Sequence, residues 1–63
     1  MKLWIARDFD GILNLFVDRP LLDSNDGVYD VDDYNYLNID KDLFPEVTYE
    51  NSPQKVKIEI IKE

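Results

Sequence analysis

The sequence predicts a mainly β domain: a three- to four-stranded antiparallel sheet with at most one short helical turn, a small α+β fold being the alternative. Two apolar runs, residues 2–7 and 12–17, flank the polar segment DFDG at residues 8–11. Toward the far end Val56, Ile58 and Ile60 alternate with Lys55, Lys57 and Glu59, the period of a half-buried strand. In between, Pro45 disfavours the α-region at Phe44 and so rules against a long helix.

The N-terminal hairpin comes first. Asp10-Gly11 between hydrophobic runs is a strong hairpin signal, because glycine takes a positive φ without a Cβ clash. With Asp8 beside it, a three-residue loop fits better than a two-residue one. A type I turn over Phe9 and Asp10 would place Gly11 in the left-handed position of a bulge. Asp8 then pairs with Ile12, Ile5 with Leu15, Trp4 with Phe16 and Leu3 with Val17. Leu3, Ile5, Leu13, Leu15 and Val17 share one face, with Arg7 at its margin. Trp4, Ala6, Ile12, Asn14 and Phe16 share the other. A two-residue turn would shift this register by one and redistribute both faces.

Pro20 should end the second strand, with Leu21 and Leu22 tucked back onto the core. Residues 18–33 read as an acidic loop, the most mobile part of the chain. No basic residue lies between Arg19 and Lys41, while Asp23, Asp26, Asp30, Asp32, Asp33 and Asp40 accumulate. Within it only Val28, Tyr29 and Val31 suggest a short edge strand. Residues 34–39 (YNYLNI) form a strand with Leu37 and Ile39 as its buried pair. Asp40 is placed to cap a single helical turn over residues 40–44. Residues 46–50 look extended, residues 51–53 make a turn, and the C-terminal strand pairs beside a hairpin strand.

Sixty-three residues make one domain, 1–63, near the size at which a core first supports folding alone. There is no cysteine and no histidine, which excludes disulfide staples and histidine-based catalysis and removes the usual zinc ligands. The leading residues lack a basic region followed by a continuous apolar run, and no stretch reaches membrane-spanning length, so a cytoplasmic protein without membrane attachment is expected. Seven basic against fourteen acidic residues give a formal charge of −7. That disfavours direct nucleic-acid binding, which needs a clustered basic surface.

Each motif has an ordinary explanation. Counted from Asp23, the segment DSNDG puts glycine at the fifth position where a calcium loop of the EF-hand type needs it at the sixth. Turn chemistry accounts for it, and no metal or other cofactor is expected. Nothing singles out two of the fourteen carboxylates as an acid–base pair, and the serines and threonine lack a base. The chain therefore reads as non-enzymatic.

Two candidate protein-binding surfaces remain. One is the aromatic pair Trp4 and Phe16, of the kind enriched in interfaces, unless residues 21–37 or Leu43 and Phe44 cover it as a second core. The other is the acidic run Asp23, Asp26, Asp30, Asp32 and Asp33 with Tyr29 and Tyr34, whose spaced carboxylates can imitate a phosphate backbone.

Residues 4–16 (WIARDFDGILNLF) and 43–60 (LFPEVTYENSPQKVKIEI) resemble short uncharacterised proteins of Bacteroides-type gut bacteria and their phages and prophages. The resemblance covers about half the chain and carries no assigned chemistry. It implies a phage- or mobile-element-associated protein that binds or inhibits a host protein. The expectation is thus a small acidic protein-binding module, with a nucleic-acid mimic or anti-defence inhibitor as the alternative. An unidentified protein is the partner, and self-association is open through any uncovered aromatic face.

Overall fold

The turn at residues 8–11 sets the sheet. In the computed structural model, which describes residues 2–63, the Asp8 N–H donates to the Ile12 carbonyl at 2.8 Å and the Gly11 N–H to the Asp8 carbonyl at 3.0 Å. Gly11 sits at φ +96°, so the turn is the three-residue loop with a left-handed glycine. Met1, at the head of the hairpin stretch, lies outside the described residues. Strand β1 (Lys2–Arg7) and strand β2 (Leu13–Phe16) pair antiparallel, with Trp4 opposite Phe16 and Ile5 opposite Leu15.

Four further strands follow: β3 (Leu21–Asp23), β4 (Val28–Asp30), β5 (Tyr36–Ile39) and β6 (Gln54–Lys57). The main sheet has the order β5-β2-β1-β6 and is antiparallel throughout. β3 and β4 form a separate two-stranded ribbon. Among the described residues there is no helix, and so none long and apolar enough to cross a membrane.

Both faces of the main sheet are apolar, and each receives a different cover. On one face Ala6 and Phe16 pack with Tyr29 of β4, and Trp4, Val31 and Tyr49 close around them. On the other, Ile5 and Leu13 pack under Val47, with Leu15, Ile39 and Val56 around them. Val47 and Tyr49 are two residues apart yet land on opposite faces. The segment 40–53 therefore wraps the end of the sheet.

Arg7 fixes that wrap. Its Nε donates to the Val47 carbonyl at 2.6 Å, and its terminal nitrogens donate to the carbonyls of Gly11, Lys41, Leu43 and Phe44 at 2.9–3.2 Å. A guanidinium offers five N–H donors in a rigid fork, and here five main-chain carbonyls take them. Asp8 fixes the ribbon in the same way. Its carboxylate accepts the Tyr29 N–H at 2.8 Å, and the adjacent Phe9 N–H donates to the Gly27 carbonyl at 2.8 Å. Gly27 has φ +68°, and a Cβ there would meet the Phe9 Cβ at 2.8 Å, so the two turns approach too closely for any other residue.

Several expectations are corrected. The acidic stretch 18–33 is not simply a loop: it contains the β3–β4 hairpin, which the carboxylates permit because they point outward. Leu21 and Leu22 are exposed rather than tucked in, because β4 is the strand that packs on β1 and β3 lies outside it. Asp40 does accept the Asp42 N–H on its side chain and the Leu43 N–H on its carbonyl, but no helix follows. Phe44 turns to φ +50° ahead of Pro45, where proline disfavours the α-region. Residues 46–50 form no strand: turns at 45–46 and 49–51 flank residues 47–48, and Thr48 and Asn51 hydrogen-bond each other's backbone. Of the expected buried pair in β5, Ile39 is half-buried but Leu37 is 63% exposed.

Candidate protein-binding face

Of the aromatic pair, Phe16 is core and Trp4 stands at its rim. Trp4 and Phe16 do sit opposite each other, but Phe16 is 1% exposed beneath Tyr29. The Tyr29 hydroxyl reaches past it to the carbonyls of Tyr49 and Ser52 at 3.0 and 2.9 Å, tying ribbon and wrap together. Trp4 is half-buried at the rim, with the Arg19 guanidinium and the Lys55 ammonium each 5.3 Å from its ring centre. Residues of the 21–37 stretch provide the cover, as one expected alternative had it. Leu43 and Phe44 do not, since the wrap carries Phe44 to the opposite face beside Ile5 and Val56.

The acidic candidates separate. Asp23 and Asp26 stand exposed at the ribbon's tip, where the Asp23 carboxylate accepts the Asn25 N–H at 3.1 Å as ordinary turn chemistry does. Tyr29 is buried, so its ring cannot meet a partner. Asp30, Asp32 and Asp33 come together with Asp18 around Arg19 in a pocket of about 240 Å³. Among the described residues no group of three or more acidic side chains is arranged to hold a metal ion. Tyr34 faces elsewhere, 77% exposed on the rim of a second groove.

That second groove is the feature that sequence reasoning missed. It crosses the strands at the end of the sheet farthest from the β1–β2 turn, on the face that Val47 only half covers. Leu3, Leu15, Phe16, Val17, Leu37 and Ile58 line it together with Tyr34, Asn35 and Tyr36, enclosing about 370 Å³. An adjoining hollow of about 280 Å³ continues it between Leu15 and Phe44. No charged side chain lines the larger groove. Among the described residues two non-glycine residues have left-handed φ, Tyr34 at +57° and Phe44 at +50°, and each borders one of these hollows. Such conformations are uncommon outside glycine and gather at ligand clamps. Alternation in residues 2–7 and 12–17 was the available signal. It placed Leu3, Leu15 and Val17 on one face, but no sequence pattern states whether anything lies above them.

The Asp8 carboxyl is held above its ordinary value. Burial raises it most, and the Tyr29 N–H opposes that, while the charges of Asp10 and Asp30 add to the rise. Burial likewise raises the Tyr29 hydroxyl. Asp8 lines neither groove nor the acidic pocket. Its chemistry is that of a structural acceptor.

No protein-family model, curated protein or solved structure matches this chain.

Proposed function

We propose that this chain is a small acidic, non-enzymatic module that binds another protein through the open half of its sheet. The observation that carries this reading is the uncharged cross-strand groove of about 370 Å³, left open where Leu37 is 63% exposed. An apolar patch rimmed by polar residues on a chain this small is a recognition surface more readily than an accident. The raised carboxyl of Asp8 supports no acid–base role, being sealed beneath the ribbon and away from the grooves. A cysteine-free acidic composition supports a cytoplasmic setting. The resemblance expected for residues 4–16 and 43–60, to short proteins of gut bacteria and their phages and prophages, is in keeping with a host protein as partner.

A second reading rests on Asp18, Asp30, Asp32 and Asp33, which share one pocket. Those carboxylates would mimic nucleic acid toward a basic groove. Salt separates the two, because exposed charge is screened and apolar contact is not. The test is affinity capture from a gut-bacterial lysate at low and high salt. Wild type is compared with Leu37→Thr and with a chain carrying Asp30, Asp32 and Asp33 as asparagine. The groove reading predicts a partner that is weakened but still retained at high salt and is lost on Leu37→Thr. A partner lost only with the aspartates supports mimicry, and identical capture by wild type and Leu37→Thr contradicts the groove.

A further inference from the structure

The two outer edges of the main sheet differ in how they are guarded. A free edge strand offers unpaired N–H and C=O groups, and proteins blunt such edges with lysine, proline or a cover. β6 is guarded: Pro53 precedes it, and Lys55 and Lys57 stand within it. β5 is not. Its four residues, Tyr36-Leu37-Asn38-Ile39, contain no charge and no proline, and β2 is its sole strand neighbour among the described residues. Leu37 on β5 also forms one wall of the open groove. The Tyr36 N–H already donates to the Tyr34 carbonyl at 2.9 Å, so a strand laid along this edge would take its main-chain hydrogen bonds chiefly at Asn38, and would extend the apolar floor beside Leu37.

The charges around β5 select what that strand carries. Asp32 and Asp33 precede it, and Asp40 and Asp42 follow it. All four are exposed. The Asp33 carboxylate is turned back to the Asn35 N–H at 3.0 Å, which keeps it beside the strand's entry. Lys41 is the lone basic residue between Arg19 and Lys55. A second copy of this chain would bring the same carboxylates against each other, on a molecule already at −7, and like charges set directly opposite are unfavourable.

We infer that β5 is a strand-acceptor edge for an extended segment of a basic partner protein. That segment has alternating apolar residues to continue the groove beside Leu37, and lysine or arginine at both ends to meet Asp32–Asp33 and Asp40–Asp42. This rests on the protein-binding reading above and specifies its partner. Main-chain pairing supplies the affinity and the alternate side chains supply the specificity. So short an edge gives a weak complex, with a Kd on the order of micromolar.

The test is selection of a displayed library of random linear peptides against the full chain, with Leu37→Thr as the counter-target. The enriched peptides should alternate apolar with polar residues and carry basic ends. A central proline should weaken them at least about tenfold, because proline cannot donate to a ladder. Replacing Asp32, Asp33, Asp40 and Asp42 with asparagine should weaken binding about tenfold and flatten its salt dependence. Amide exchange of β5 should slow on peptide binding while that of β6 is unchanged. Enriched peptides with helical spacing, without basic ends, or indifferent to the proline would overturn strand addition and leave the groove reading standing. No enrichment over Leu37→Thr would overturn both. Slow β5 exchange in a self-associated, peptide-free chain would replace the basic partner with a second copy.

Discussion

The two faces of the main sheet are built from one hairpin and nearly the same kind of side chain, yet one is sealed and the other half open. Trp4, Ala6 and Phe16 lie under a ribbon that Asp8 and Tyr29 bolt down by hydrogen bonds. Leu3, Ile5, Leu13 and Leu15 lie under a wrapping segment that contributes Val47 at one end and leaves the other uncovered. The difference comes from the covers. A two-stranded ribbon with a buried tyrosine spans its face, whereas a turn-rich segment held by one arginine reaches only as far as its carbonyls allow. So small a domain has few apolar residues to spare, and an apolar face left half open is where binding is to be sought.

Substitutions on the sealed face carry the largest expected effect. Tyr29→Ala removes the ring over Phe16 and the hydroxyl that joins ribbon to wrap. Loss of about 3–5 kcal/mol is expected, which for so small a domain means a chain largely unfolded in urea titration. Arg7→Lys comes next, because an ammonium cannot reach five carbonyls in a fixed fork. A loss of about 2–3 kcal/mol is expected. Partial release of the wrap should also deepen the open groove, read as increased binding of an anilinonaphthalene dye before the unfolding transition.

Asp8→Asn sharpens the comparison with a smaller effect that depends on pH. Burial raises the folded-state pKa above the ordinary 3.8, so the folded chain holds this proton more tightly than the unfolded one. That contribution is full below the ordinary value and is lost as pH rises through the raised one. Asparagine still accepts the Tyr29 N–H and does not titrate. Urea midpoints between roughly pH 4 and 7 should therefore show wild type losing stability relative to Asp8→Asn as pH rises. A difference that stays constant with pH would show that Asp8 is not desolvated beneath the ribbon.

Local chemistry made the hairpin readable, and distance in the chain hid its covers. The Asp8-to-Gly11 turn specifies its own register, and the alternation of Val56, Ile58 and Ile60 marks a strand that does pair with β1. That strand ends at Lys57 rather than residue 62 and leaves Ile58 and Ile60 exposed. The ribbon was hidden because its exposed positions, Leu21, Leu22, Asp23 and Asp30, look like a loop. What orders it is a buried bond from Tyr29 to Asp8, 21 residues away. The role of Arg7 was hidden for a related reason: its partners are carbonyls, which every residue has and no pattern reveals. Of the expected site residues, Phe16 and Tyr29 proved to be core, while Tyr34 reached the groove by a backbone conformation that its identity does not announce.

The most direct test of the account places threonine on each face. Threonine suits a strand wherever it stands, so Phe16→Thr and Leu37→Thr differ in what covers the position and in the larger side chain lost at Phe16. Urea unfolding of the two variants and wild type should show Phe16→Thr losing about 3–5 kcal/mol and Leu37→Thr staying within about 0.5 kcal/mol of wild type. Comparable losses at both positions would mean that the Leu37 face is as closed as the other, and would contradict the open groove on which the proposed function depends.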